Sequence, residues 1–118
     1  MDLKELLLKI IGTPMVESAP LAFATQFSSP TGYCLKMGNY LIFHYTMPCN
    51  TNTSSKIFDL PRGLSADGAR SFLAYSQKAN QIGAFYAVQN GATSANGLSS
   101  MPFYANTWYN ISGIIKVK

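Results

Sequence analysis

The hydrophobic period of this chain changes at Gly32, and that change limits what it can fold into more than any other feature. Before it, Leu3, Leu6, Leu7, Ile10 and Ile11 recur at spacings of three and four, the helical period; after it, apolar residues alternate one by one, the strand period. Asp2 and Glu5 have capping-box spacing, and Gly12 followed by Pro14 stops the pattern, so a short amphipathic helix is expected over residues 2–11. A helix of that length is only about 15 Å long and is not stable alone in water. Its apolar stripe must pack, either on the base of the domain or on copies of itself.

Residues 13–31 carry Pro14, Pro20 and Pro30 among small and polar residues, the texture of a connector with one extended piece at 21–27. The layout is therefore an N-terminal helix over 1–12, a proline-containing connector over 13–31 and a β domain over 32–118. Within that domain, strand-like runs are expected at 33–37 and 40–47 around a tight turn at Gly38-Asn39, then at 55–60, 70–77, 82–89 and 108–117. Residues 92–100, rich in Gly, Ser and Asn, are expected as an exposed loop. In the second run Leu41, Phe43, Tyr45 and Met47 share one face and Tyr40, Ile42, His44 and Thr46 the other. Neither face is plainly polar, which leaves room for a cover on both sides. In the last run Tyr109, Ile111, Ile115 and Val117 are in one phase and Ile114 in the other. Short strands separated by turn residues predict an all-β, antiparallel β-sandwich or jelly-roll-like domain.

Composition narrows the function. The chain has 118 residues, 47% of them hydrophobic and only 12% charged, with a formal charge of +4. That length suits one domain. The cations Lys36, Lys56, Arg62, Arg70, Lys78, Lys116 and Lys118 are scattered singly, with no run to follow a phosphate backbone, so nucleic-acid binding is not expected. No apolar stretch approaches the roughly 20 residues that span a bilayer, and Glu5 with Lys9 breaks any resemblance to a secretion signal. Cys34 and Cys49 match no zinc spacing and are expected either as two buried free thiols or as a disulfide. No metal or cofactor is implied.

An enzyme needs a nucleophile, a base and an orienting group. His44 is the only histidine and sits mid-strand, where a structural role is expected; Asp59 and Asp67 sit beside turn motifs, Leu60-Pro61-Arg62-Gly63 and Asp67-Gly68. No enzyme is expected. Binding is better supported. Aromatic residues make up 13% of the chain, and Phe103, Tyr104, Trp108 and Tyr109 cluster beside Asn106, Thr107 and Asn110. Aromatic faces stack on the C–H surfaces of sugars while amides bond the hydroxyls. Asn96, Tyr104, Asn106 and Trp108 are the candidate contact residues. Against that stands the ordinary fate of a tryptophan on a closing strand, which is the core; Tyr104 is expected to be the more exposed of the two. The sequons at Asn52 and Asn110 are short enough to arise by chance.

The order of several short motifs resembles a known family. Lys36-Met37-Gly38-Asn39-Tyr40-Leu41-Ile42, then Phe58-Asp59-Leu60-Pro61-Arg62-Gly63, then Asn90-Gly91 and Thr107-Trp108-Tyr109-Asn110-Ile111-Ser112-Gly113 are similar to the pattern of the small β-sandwich that ends many tailed-phage fibre, baseplate and head-fibre proteins. The corner departs from that pattern, with Leu64-Ser65-Ala66-Asp67 where the family has a final proline. The resemblance covers residues 33–118. It implies a non-enzymatic homotrimeric knob in the virion, contacting other virion proteins and a host-surface saccharide or protein. Leu3, Leu6, Leu7 and Ile10 would then be oligomerisation contacts around the threefold axis. A structural connector or decoration protein of the virion, and a free-standing carbohydrate-binding module, are the alternative expectations.

Overall fold

In a computed structural model of the chain the described residues are 3, 16–76 and 84–118. The helix expected over 2–11, with Leu6, Leu7 and Ile10, lies outside them; Leu3 alone is described, and its side chain is 70% exposed.

The period-two region folds as the sequence requires. Strands β1 (Val16–Ser18), β2 (Ala22–Phe23), β3 (Thr31–Met37), β4 (Tyr40–Cys49), β5 (Lys56–Asp59), β6 (Arg70–Ser76), β7 (Ala84–Val88), β8 (Ser94–Asn96) and β9 (Thr107–Lys116) follow in order. They form a six-stranded sheet in the order β1-β3-β4-β9-β6-β7 and a three-stranded sheet in the order β2-β5-β8. Every pairing is antiparallel. The hairpin β3–β4 turns at Gly38, whose φ of 57° suits a residue without a Cβ. The central pair is β4 with β9, matched from Tyr40↔Lys116 to Cys49↔Thr107.

Alternation decides which side chains meet between the sheets. Leu41, Phe43, Tyr45 and Met47 of β4 are buried, as are Tyr109, Ile111, Ile115 and Val117 at the C-terminus and Phe72 and Ala74 of β6. The three-stranded sheet supplies Ile57, Phe58 and Ala95, each fully buried. Two consecutive buried residues, Ile57 and Phe58, fit a strand only where its register shifts, and a shift occurs between Lys56 and Phe58. Aromatic rings then link into a closed circuit: Phe23–Phe58 at 5.6 Å between centroids, Phe58–Phe72 at 5.2, Phe72–Tyr86 at 5.9, Tyr86–Phe103 at 5.2, Phe103–Phe27 at 5.1 and Phe27–Phe23 at 6.2.

The structure differs from the sequence reading in two places. The stretch 92–100, expected as a loop, contains β8, which pairs with β5 and buries Ala95. The stretch read as connector also supplies β1, paired with β3; its expected extended piece at 21–27 holds β2, paired with β5, and buries Leu21 and Phe27. The Leu21 N–H donates to Tyr45 Oη at 3.3 Å, tying this stretch to the central strand. Both cysteines are free and buried.

Gly113 of β9 lies opposite Phe43, and a Cβ there would come within 2.7 Å of Phe72 Cβ and 3.2 Å of the Phe43 ring. Elsewhere in a strand a Gly→Ala change is favourable, because alanine restricts the unfolded chain. Here it should be costly. Gly113→Ala is expected to lower stability by about 1–3 kcal/mol through overpacking, read from the midpoint of chemical denaturation.

Burial also sets an alkaline limit. Desolvation pushes the Cys34 thiol up to about 11 from an ordinary 9.0, and desolvation with repulsion from Tyr109 and Tyr104 pushes the Tyr86 phenol up to about 12 from 10.0. Between these values the unfolded chain loses protons that the folded chain keeps, so stability is complete below about pH 9 and declines as pH rises through 11 and 12. The melting temperature followed by circular dichroism from pH 8 to 12 should fall in that window, and less steeply in Tyr86→Phe.

Candidate functional site

The candidate contact residues are placed by the turn that leads into β9. Phe103 is anchored in the aromatic circuit and bridges to Thr53, with both backbone hydrogen bonds formed at 2.8 and 2.9 Å. From there the chain is held almost residue by residue. The Tyr104 N–H donates to Tyr109 Oη at 2.8 Å, the Ala105 N–H to Asn52 Oδ1 at 2.8 Å, and the Asn106 N–H to the Cys49 carbonyl at 2.8 Å. Thr107 Oγ1 donates back to the Ala105 carbonyl at 3.1 Å. Asn106 takes a φ of 57°, the left-handed region that asparagine tolerates better than most residues.

With the backbone occupied in this way, alternate side chains point outward. Tyr104, Asn106 and Trp108 are all exposed, while Phe103, Thr107 and Tyr109 between and beside them are buried. Trp108 is 50% exposed and Tyr104 43%, the reverse of the expected order. The reason is the phase of β9. Tyr109 takes the buried phase with Ile111 and Ile115, so its neighbour Trp108 must face outward, paired with Pro48. A ring beside an amide on a fixed backbone can stack on a sugar face and bond its hydroxyls. Asn96 lies apart from this run. It sits exposed on β8, opposite Lys56 in the three-stranded sheet, whereas Trp108 sits on the six-stranded one.

Other candidate chemistry is dispersed. Asp59 pairs with Lys56 at 2.9 Å and Asp67 with Lys116 at 3.7 Å, so each carboxylate is held by its own lysine. His44 lies on the outward face of β4 in a row with Tyr33 and Ser112, a row without a carboxylate, and its ring is 6.4 Å from that of Tyr33. Asn110, the second sequon, is 8% exposed and accepts a hydrogen bond from Thr46 Oγ1 at 2.7 Å, a poor position for glycosylation. Among the described residues no group of three or more His, Cys, Asp and Glu side chains could hold a metal ion, and no helix is long and apolar enough to cross a membrane.

A second surface lies where the sequence left room for a cover on the other side of β4. Of the ten large apolar or aromatic side chains that are exposed among the described residues, Val16, Tyr33, Met37, Tyr40, Tyr75, Trp108 and Ile114 share the outer face of the six-stranded sheet. The register shows why. Val16, Met37 and Tyr40 stand in one row, and Leu35, Ile42 and Ile114 in the next. The signal was the missing polar phase in β4. No cover for that face comes from the described residues of the same chain.

Searches of family models, curated proteins and solved structures return no match to this chain.

The contrast between neighbours in the turn is measurable. Phe103→Ala removes a member of the aromatic circuit and should cost about 3–5 kcal/mol in equilibrium unfolding. Tyr104→Ala should cost under about 1 kcal/mol, because its ring is outside and its backbone hydrogen bond remains.

Proposed function

We propose that this chain is a domain of a phage or prophage virion protein, at a fibre, baseplate or head-fibre tip, which binds a host-surface saccharide or protein as a homotrimer and catalyses no reaction. The observation that carries the reading is the outward display of Tyr104, Asn106 and Trp108 on a turn whose backbone is fixed by Asn52, Cys49 and Tyr109. Little ordering of the protein is left to do when a ligand arrives, which favours binding. The ordered motifs over residues 33–118 add the resemblance to phage tip domains. Such a protein would be made in the bacterial cytoplasm and act in the virion.

One shallow site of this kind binds weakly. Three sites on one knob and many knobs on one particle raise the overall affinity by about 10²–10⁴ without a new contact, provided that the sites can engage together. The test is a glycan array probed with the wild-type protein and with Tyr104→Ala, whose fold is checked by circular dichroism. Binding lost in the variant supports the site, and undiminished binding moves it elsewhere. The avidity itself is tested on the glycan that scores. Retention on a dense surface should exceed that on a sparse surface by at least about 10²-fold.

A structural role, as a connector or decoration protein of the virion, is the second reading. The open apolar face of the six-stranded sheet favours it, because a patch of that kind marks association with protein. It predicts a trimer without glycan affinity.

A further inference from the structure

We propose that the outer face of the six-stranded sheet is the docking surface for the leucine-bearing segment 2–11 of a neighbouring copy of this chain; the inference rests on the trimeric reading above and names the contact that builds it. The chain has two apolar surfaces. One is the double row of Val16, Met37 and Tyr40 with Leu35, Ile42 and Ile114, in which Ile114 is 61% exposed, Tyr40 46% and Val16 45%. The other is the stripe of Leu3, Leu6, Leu7 and Ile10, and Leu3 stands 70% exposed from its own sandwich. Two faces packed on each other would leave the stripes bare, and stripes bundled together would leave the faces bare. A stripe laid on the face of the next copy covers both.

The dimensions agree. At helical rise the stripe segment is about 15 Å long. Each apolar row crosses three strands, the first from β1 to β4 and ending on Lys116, the second from β3 to β9 and starting on Ser18; together they reach across three strand spacings, or about 14 Å. The segment is also tethered close to that face along the sequence. Only residues 12–15 separate it from Val16, which is itself a member of the row, on the edge strand β1. Four residues reach at most about 14 Å, so the stripe is tethered close to the margin of one face, where an adjoining copy brings its own. A contact of this kind is heterologous, tail on face, and it closes into a ring when the rotation between copies allows.

The experiment uses the full chain and two variants, Leu6→Asp with Leu7→Asp on the stripe and Ile114→Asp on the face, with mass measured by light scattering and folding by circular dichroism. The wild-type chain is expected at three times 12.9 kDa and each variant alone at 12.9 kDa. Mixed in equal amounts, the stripe variant still offers an intact face and the face variant an intact stripe, so the mixture should yield a two-chain species of twice the single-chain mass. If Ile114→Asp fails to fold, Tyr40→Ser replaces it. A wild-type mass that survives the stripe substitutions assigns the contact to face on face, and one that survives Ile114→Asp assigns it to stripe on stripe. Either result, or a mixture that remains single chains, overturns this inference alone. A wild-type chain that is itself single overturns the trimeric reading with it.

Discussion

The aromatic circuit through Phe23, Phe58, Phe72, Tyr86, Phe103 and Phe27 is what the two sheets depend on. Phe23 and Phe58 come from the three-stranded sheet, Phe72 and Tyr86 from the six-stranded one, and Phe27 and Phe103 from the segments between strands. The smaller sheet is short, with two residues in β2 and three in β8, and the same two phenylalanines also reach β4, Phe23 to Tyr45 at 4.9 Å and Phe58 to Phe43 at 5.7 Å. Pairs of rings at these separations stabilise by about 0.5–1.5 kcal/mol each beyond the area they bury. The circuit therefore does for this domain what long paired strands do for larger sandwiches. It also explains why Gly113 carries no side chain: Phe72 lies over it on the way to Phe58 and Tyr86.

The same circuit divides the aromatic residues by role. Phe103 belongs to it, and Tyr109 joins it at 4.8 Å from Phe103, so both ends of the turn into β9 are sunk in the core. What lies between them is lifted outward. The Cys49 carbonyl at the end of β4 and Asn52 in the segment after it take up the backbone donors of Asn106 and Ala105. A composition that suggests a sugar site from its aromatic share is thus mostly explained by packing, and only Tyr104 and Trp108 of the cluster are displayed at the surface.

How much of this the sequence disclosed follows from where alternation was present. In β4, β6 and β9 one residue type after another states its phase, and the buried sets Leu41, Phe43, Tyr45, Met47 and Tyr109, Ile111, Ile115 were readable without coordinates. Strand β8 had no such signal: Ser94, Ala95 and Asn96 look like loop because only Ala95 is buried, and pairing with β5 is what makes them a strand. The bulge that buries both Ile57 and Phe58 is invisible to a period-two reading for the same reason. Trp108 is the instructive case. Residue type favours the core, yet the phase fixed by Tyr109 sends it out, and in a strand paired on both sides phase prevails because a one-residue slip would turn Ile111 and Ile115 into solvent. The connector's texture hid β1, an exposed edge strand without alternation, whereas the extended piece expected at 21–27 holds β2 and brings Phe23 and Phe27 into the circuit.

Strand β9 joins the two surfaces on which the proposed function rests. Trp108 stands near one end of it and Ile114 near the other, both on the outward phase. Six residues of strand set them about 20 Å apart. Along that span β9 is hydrogen-bonded to β4 on one side, and from Tyr109 to Ser112 to β6 on the other, so the distance is not adjustable. A contact built around Ile114 would therefore hold Trp108, with Tyr104 and Asn106 beyond it, at a fixed offset from the axis of the assembly. For a multivalent binder that offset is the useful quantity. Sites that keep a constant spacing meet a repetitive surface together, whereas sites on mobile loops must be ordered one at a time, and each ordering step subtracts from the gain that linkage provides.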